Sequence, residues 1–423
     1  MTTPYLIYTT PEGEICEERR LQALAFNNRP LAATDLIPLP DGVTLSMMPD
    51  RLAVGRSKHG GRQVIAQSRG WAVAALLPIG YTRTLLPAYE KVPDTEPLPF
   101  FGYSAVAGMN GRLYVAAVQT DDPHKWHPRA FPRHKLERLV RAKQAAYPEN
   151  RVVQQHAHCA LDYACPTASN LFFGRWEMAI AVSPGCNARC IGCISKREEE
   201  NLISPQDRLT FIPTVDEIVQ VAVPHLEGAE EAIVSFGQGC EGEPLLQWRR
   251  IGQAISAIRE QTTKGVININ TNGSNPRWLQ YLYDAGLDTI RVSTISGHVE
   301  TYTAYYRPVG YCFEDVKESL KRARDAGLHS SINLLCYPGL IDREREVAAL
   351  LSLVRETGLR LIQLRNLTID PEVFLPRMPE LETMGKALGI PALIETLRRE
   401  VPDVEIGNFS RAIKRTINTT VSS

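Results

Sequence analysis

The sequence predicts an α/β protein: a partial (β/α)6 barrel in the C-terminal part, preceded by an N-terminal β-rich accessory domain. Three observations predict it. From about residue 177 onward, apolar β-prone runs at 177–183, 231–236, 265–271, 288–294, 330–336 and 360–366 alternate with amphipathic helical stretches, the pattern of parallel strands joined by helices. Along these runs polar residues recur with period two, so that Asn268, Asn270 and Asn272 share a face, as do Arg291 with Ser293, Ser331 with Asn333, and Gln363 with Arg365. A doubly wound sheet would bury both faces in apolar helices, whereas one polar face fits a lumen that holds a polar ligand. Closed eight-stranded barrels are filled by branched apolar side chains, so six strands with a polar interior fit an open, TIM-like barrel. These residues could equally be structural hydrogen-bonding groups of a packed lumen, and both readings stay open. Third, before about residue 133 there is no sustained helical period, only short alternating runs such as Leu113–Val118 separated by Gly, Pro and Asp turns.

The chain therefore divides into a β-rich region at 1–145, a linker at 146–175, the barrel at 176–370 and a helical extension at 371–423. That extension has a helix at 380–400 and a polar, loosely held tail after about 410. A helix at 133–146 turns Leu136, Leu139 and Val140 inward and Arg133, Lys135, Arg138, Arg141 and Lys143 outward. That basic face could hold phosphates or could be ordinary solvated surface. Forty-seven basic residues balance forty-seven acidic ones over 423 residues, so no global field draws the chain to nucleic acid or a membrane surface. The N-terminus lacks a basic segment followed by a long apolar run, and no stretch reaches transmembrane length, which predicts a cytoplasmic protein. Nine cysteines in such a chain read as metal ligands or free thiols rather than a disulfide framework.

Cys186, Cys190 and Cys193 stand at CxxxCxxC spacing in the segment Ser183–Ser195, directly after the first predicted strand. Three thiolates do not close a four-ligand cage, so a cubane iron–sulfur cluster held by them keeps one iron open for chemistry. A structural zinc completed by a remote residue, or buried free thiols, are the alternatives. This loop after a first barrel strand resembles that of the radical S-adenosylmethionine (radical SAM) superfamily. The resemblance implies a [4Fe-4S] cluster on Cys186, Cys190 and Cys193, with the amino and carboxylate groups of S-adenosylmethionine on the fourth iron. It further implies a low-potential electron donor such as a flavodoxin or ferredoxin, reductive cleavage of the sulfonium, and a 5′-deoxyadenosyl radical that abstracts hydrogen from a substrate. One position departs from the family pattern: an aromatic residue usually precedes the third cysteine, and here that residue is Gly192.

About fifty residues further on, the second strand ends in Ser235–Leu246, which contains Gly242, Glu243 and Pro244. This resembles the superfamily's Gly-Gly-Glu motif in its Gly-Glu-Pro form, which by resemblance binds the methionine amino group. Glycine lets backbone approach a ligand, and oxygens accept from an ammonium, although strand-to-helix turns often need glycine anyway. Asn272 at the third tip and Arg291 and Ser293 on the fourth strand match the family's positions for cofactor carboxylate and ribose contacts. Leu334–Gly339 resembles the family's bend after the fifth strand.

Cys159 and Cys165, with His156 and His158, precede the first strand. The dozen residues between Cys165 and that strand could span about 40 Å if extended, enough to reach the barrel mouth. Cys240 and Cys336 lie at strand tips facing that mouth. Cys159 and Cys165 could thus be ligands of a second iron–sulfur cluster or ordinary semi-buried thiols, with Cys336 in the core. Asp121, His124 and His127 fall in a Pro-bearing segment that reads as a polar loop before a metal site. The functional expectation is a radical SAM enzyme acting on a peptide or protein side chain or a small molecule. Its alternatives are an RNA (tRNA) modifying radical SAM enzyme, supported only by the basic face at 133–143, and a non-catalytic iron–sulfur redox or sensor protein.

Overall fold

The computed structural model describes residues 3–197 and 202–413; the end of the predicted polar tail, 414–423, lies outside the described residues. Among these, a parallel sheet runs in sequence order through Arg175–Ile180, Glu230–Phe236, Val266–Thr271, Thr289–Thr294, His329–Cys336, Leu361–Asn366 and Glu405–Gly407. The six predicted strands overlap the first six. The seventh was missed because three residues are too few to show a period.

Period-two alternation divides the faces. Ile290, Val292, Ile332, Leu334, Ile362 and Leu364 are buried in the apolar core. Arg291, Ser293, Asn333 and Arg365, on the opposite parity, line a central cavity. The sheet is curled, and side chains of its first, fourth and sixth strands meet in the lumen, where Arg291 Nη2 lies 3.1 Å from Glu177 Oε1 and Arg291 Nη1 lies 3.1 Å from Gln363 Oε1. Helices Val215–Gly228, Trp248–Gln261, Pro276–Asp284, Phe313–Asp325 and Glu344–Thr357 lie in the crossovers. Their starts are chemically marked: Thr214 and Glu217 form a capping box, and Asn275 accepts from the amides of Arg277 and Trp278 just before Pro276.

Three sequence expectations change. The segment 146–175 is no extended linker but two helices, Arg151–Leu161 and Pro166–Phe173, the first capped by Asn150 and both packed into the core of the barrel. The helix expected at 380–400 starts only at Ile390, because Gly385 and Gly389 adopt positive φ and break the earlier stretch. The C-terminal extension also supplies the seventh strand, so it is not wholly helical.

The N-terminal region is an antiparallel sheet in which Tyr5–Thr9 pairs with Ile15–Ala25, Trp71–Leu76 and Val106–Met109. It grips the rim that follows the sixth strand. Buried Arg83 donates to the carbonyls of Tyr103 (3.0 Å) and Leu367 (2.7 Å), and its backbone amide donates to Asn366 Oδ1 at 2.8 Å. Phe101 N donates to Thr368 O, and the Asp370 carboxylate accepts from Leu98 N and lies 3.7 Å from buried Arg51. Arg83→Leu leaves buried carbonyls without donors and is expected to cost about 2 to 3 kcal/mol. An unchanged thermal unfolding midpoint would contradict this clamp.

Candidate functional site

A cavity of about 560 Å³ opens at the C-terminal tips of the barrel strands. Cys186, Cys190, Cys193, Gly242, Glu243, Asn272, Arg291 and Ser293 all line it, so the structure gathers the sequence-predicted cluster and cofactor residues into one space. The cysteine loop has no regular structure, and its backbone is held from two sides. On one side, Gly242 N donates to Ser183 O (2.7 Å) and Glu243 N to Gly185 O (2.8 Å). A Cβ on Gly242 would fall 1.9 Å from Gly185 O, so this turn requires glycine for close approach. On the other side, Arg189 N and Ile191 N donate to the carbonyls of Tyr306 and Tyr305, the last residues of helix Val299–Tyr306. Helix-end carbonyls lack intrahelical donors, and here the loop supplies them.

Each carboxylate at these tips has work already. Glu241 accepts from Val182 N, Ser183 N and Gln238 N, and burial pushes its pKa up to about 8. Glu243 accepts from Leu245 N, Thr271 Oγ1 and Asn272 N, tying the second strand tip to the third, and burial raises it to about 7. Asn272 Nδ2 donates to Asn187 Oδ1 inside the cysteine loop at 2.7 Å. Arg291 is 4% exposed and occupied by Glu177, Gln363 and Ser410, forming the lumen floor rather than an open clamp. Burial pushes Glu177 up, but Arg291 and the Ser235 and Ser410 hydroxyls outweigh it and hold the carboxyl below its usual range.

Sequence reasoning missed several lining residues. Arg208 Nη2 lies 3.2 Å from Cys193 Sγ, and Arg197 Nε donates to Cys193 O at 2.6 Å. Neither falls at a strand tip, so strand parity gave no signal for them. Tyr305 explains Gly192: a Cβ at 192 would meet the Tyr305 hydroxyl at 2.5 Å, so the aromatic group beside the third cysteine comes from the helix instead of the loop. Glu177, a charge on the lumen parity of an otherwise apolar strand, could have been found by the same alternation that exposed Arg291.

Three thiols on one cavity wall are the donor set of a site-open iron–sulfur cluster. Burial pushes the Cys186 thiol up to about 11 and Cys190 well above its usual value, so metal binding must displace their protons. Among the described residues no three His, Cys, Asp or Glu side chains are placed to hold a single metal ion. A cubane spreads its thiolates over separate irons and does not require that convergence.

The predicted second set is arranged differently. Cys159 and Cys165 share with Cys240 a small cavity of about 30 Å³, room for one or two waters and not for a cubane as folded. The Cys240 thiol hydrogen-bonds Cys159 and lowers it to about 7, while Cys240 is raised. His156 is held by the Val152 and Ala179 carbonyls, and His158 contacts Asp162. Cys336 is fully buried. Asp121 accepts from Asn408 N and Arg411, His124 contacts Asp122, and His127 lies by Asp41, so these form no common centre. On the helix at 133–146, Arg133 pairs with Glu137 and donates to Leu161 O, Lys135 covers Phe173, and Lys143 covers Tyr147. Part of the basic face is thus engaged in local packing.

Residues 180–351 match the family described as the Radical SAM superfamily. A GTP 3′,8-cyclase from Nostoc sp. (strain PCC 7120 / SAG 25.82 / UTEX 2576) is 27% identical over 194 residues, 44% of this chain and 55% of that protein. The chain thus matches about half the length of this curated relative. Among solved structures, SuiB of Streptococcus suis bound to the precursor peptide SuiA aligns with a TM-score of 0.39 at 16% identity, covering 60% of this chain and 54% of that one. Methylornithine synthase aligns with a TM-score of 0.39 at 14% identity, covering 65% and 71%. No helix among the described residues is long and apolar enough to cross a membrane. The cysteine loop and the second to fifth strands of the partial barrel around it lie in the segment, residues 180–351, that matches the Radical SAM superfamily.

Proposed function

We propose that this enzyme binds a [4Fe-4S] cluster on Cys186, Cys190 and Cys193 and uses S-adenosylmethionine to abstract hydrogen from a small molecule or a single peptide or protein side chain. The observation that carries the proposal is the presence of three thiols of one loop on the wall of the cavity that the barrel tips enclose. When bound, the cluster and S-adenosylmethionine supply one-electron cleavage of the sulfonium and a 5′-deoxyadenosyl radical, with the electron drawn from an external donor of the flavodoxin or ferredoxin class. The chain's own residues position these groups. Gly242 and Glu243 hold the loop through their backbone amides, and Asn272 links the third strand tip to Asn187. Arg208 points a cationic N–H at Cys193, where a donor stabilises sulfur-centred negative charge. Tyr305 and Tyr306 border the cavity as buried aromatic residues packed on Tyr302 and Phe374.

A cavity of about 560 Å³ floored by the Arg291–Glu177 pair suits a compact reacting group better than a folded RNA. Comparative mass spectrometry of cells with and without the protein identifies the substrate as one shifted peptide, metabolite or RNA mass. A shifted RNA mass would reverse the choice of substrate class.

Anaerobically reconstituted protein is expected to carry about four irons per chain and, with a low-potential reductant, to release 5′-deoxyadenosine and methionine. Cys→Ala at 186, 190 or 193 is expected to abolish release, and the triple variant to retain almost no iron. Full 5′-deoxyadenosine yield from any single variant would sink the assignment, and four irons in the triple variant would place a second cluster at Cys159, Cys165 and Cys240.

Glu243→Ala removes the carboxylate bridge between strand tips but leaves the backbone bond to Gly185. S-adenosylmethionine affinity should therefore fall about tenfold as the second and third strand tips lose their fixed positions beside the cavity, with the visible absorption of the cluster intact. Loss of that absorption would show that the side chain, not the backbone, holds the loop.

A further inference from the structure

Arg365 differs from every other arginine of the barrel lumen. On the lumen face of the sixth strand, two residues nearer the tips than Gln363, its guanidinium lines the cavity and is half-buried. Among the described residues it has no hydrogen-bond acceptor and no carboxylate within ion-pair distance. The two acids that bear on it are already engaged: Glu177 by Arg291 and Ser235, and Asp121 by Arg411 and the Asn408 amide. Burial, then the neighbouring Arg291, lowers Arg365 to about 10, which still leaves it a cation at neutral pH. On the adjacent strand the Asn333 Oδ1 is buried without a partner, and Asn333 pairs in register with Ser293. The opposite wall is different. There Asn268 and Asn270 bond one another, and Asn270 also donates to Gly237 O.

A guanidinium that lines a cavity without an acid paired to it can take an anionic group from a ligand, and the Asn333 amide, whose oxygen finds no donor as placed, can turn its N–H toward that group. A planar fork of donors matches a two-oxygen face of a carboxylate or phosphate. We infer that Arg365, with Asn333 and Ser293, forms an oxyanion-binding subsite on the wall of strands four to six, which takes one carboxylate or phosphate group within the reaction cavity. Resting on the proposed radical SAM reading, it predicts that the group belongs to the substrate.

The test uses the reconstituted full chain, with iron content as the check on the radical SAM reading itself. Binding of inorganic phosphate and of acetate is measured by titration calorimetry, and S-adenosylmethionine affinity by equilibrium dialysis, for the wild type, Arg365→Gln and Asn333→Asp. The second variant keeps the side-chain size and places a negative charge against the arginine. Loss of phosphate or acetate binding by about tenfold or more in both variants, with S-adenosylmethionine affinity unchanged, assigns the subsite to the substrate. A comparable loss of S-adenosylmethionine affinity in both gives the arginine to the cofactor and overturns the substrate subsite. Wild-type values for all three ligands in both variants overturn the subsite. If the wild type retains no iron, the proposed function fails, whereas anion binding to Arg365 is still read independently by the calorimetric arm.

Discussion

The hydrogen bonding of one irregular loop is the constraint on which this candidate site depends. A chain segment without helix or strand must still find partners for its amides and carbonyls, and an exposed cysteine loop left to water would have no fixed geometry for three thiols. Here the partners come from elements fixed by the barrel. Glu241 holds the exit of the first strand through Val182 and Ser183, the Gly242–Glu243 turn pairs with Ser183 and Gly185, and the end of helix Val299–Tyr306 receives Arg189 and Ile191. The loop therefore inherits the positions of the second and fourth crossovers. This also accounts for two residues that side-chain chemistry leaves unexplained: Gly242, which must let Gly185 approach, and Gly192, which must yield to Tyr305.

Beneath the loop, the lumen separates polar groups that serve structure from those that remain available. Glu177, Ser235, Asn268, Thr289, Arg291, Gln363 and Ser410 form a connected floor in which the only charges, Glu177 and Arg291, face one another. Removing one member of such a buried pair leaves an uncompensated charge, so the floor is rigid by energetic necessity. Nearer the tips, the wall of strands four to six carries Ser293, Asn333 and Arg365 facing open space. The same sheet parity thus yields a hydrogen-bonded structural layer and a cavity-facing layer two residues apart.

That division explains what could be read from the sequence. Period-two patterning located the lumen face correctly, since parity depends only on strand geometry, and the cysteine spacing located the loop. Parity could not tell Arg291, sealed by Glu177, from Arg365, without a partner, because the difference lies in contacts between strands distant in sequence. Nor could it foresee that Glu243 would spend its carboxylate on Thr271 and Asn272. The helix at 151–161 was hidden because its apolar residues interleave with His, Cys and Gln, and the helix at 166–173 because eight residues, half of them Pro, Thr, Ser and Asn, are too few to show a helical period. Cys159 meets Cys240 rather than the barrel mouth because a helix, not an extended tether, carries it.

An open barrel has a further problem, its two free edges, and the N-terminal region addresses it. Among the described residues the first strand pairs only with the second, and the seventh only with the sixth, so a gap separates the two edges. Trp126, from the loop that follows the N-terminal sheet, sits 5.9 Å from Trp176 on the first strand and 6.2 Å from Phe409 just past the seventh. Lys125 covers both of those rings. The gap is therefore bridged by packed aromatic side chains rather than by an eighth strand, and Trp126 and Phe409 also line the cavity. From the same region Ile79 enters the cavity wall, while Arg197 reaches across to Pro99 from the cysteine loop. The β-rich region and the loop after it thus contribute Ile79 and Trp126 to the wall of a cavity that the barrel strands alone leave open on one side.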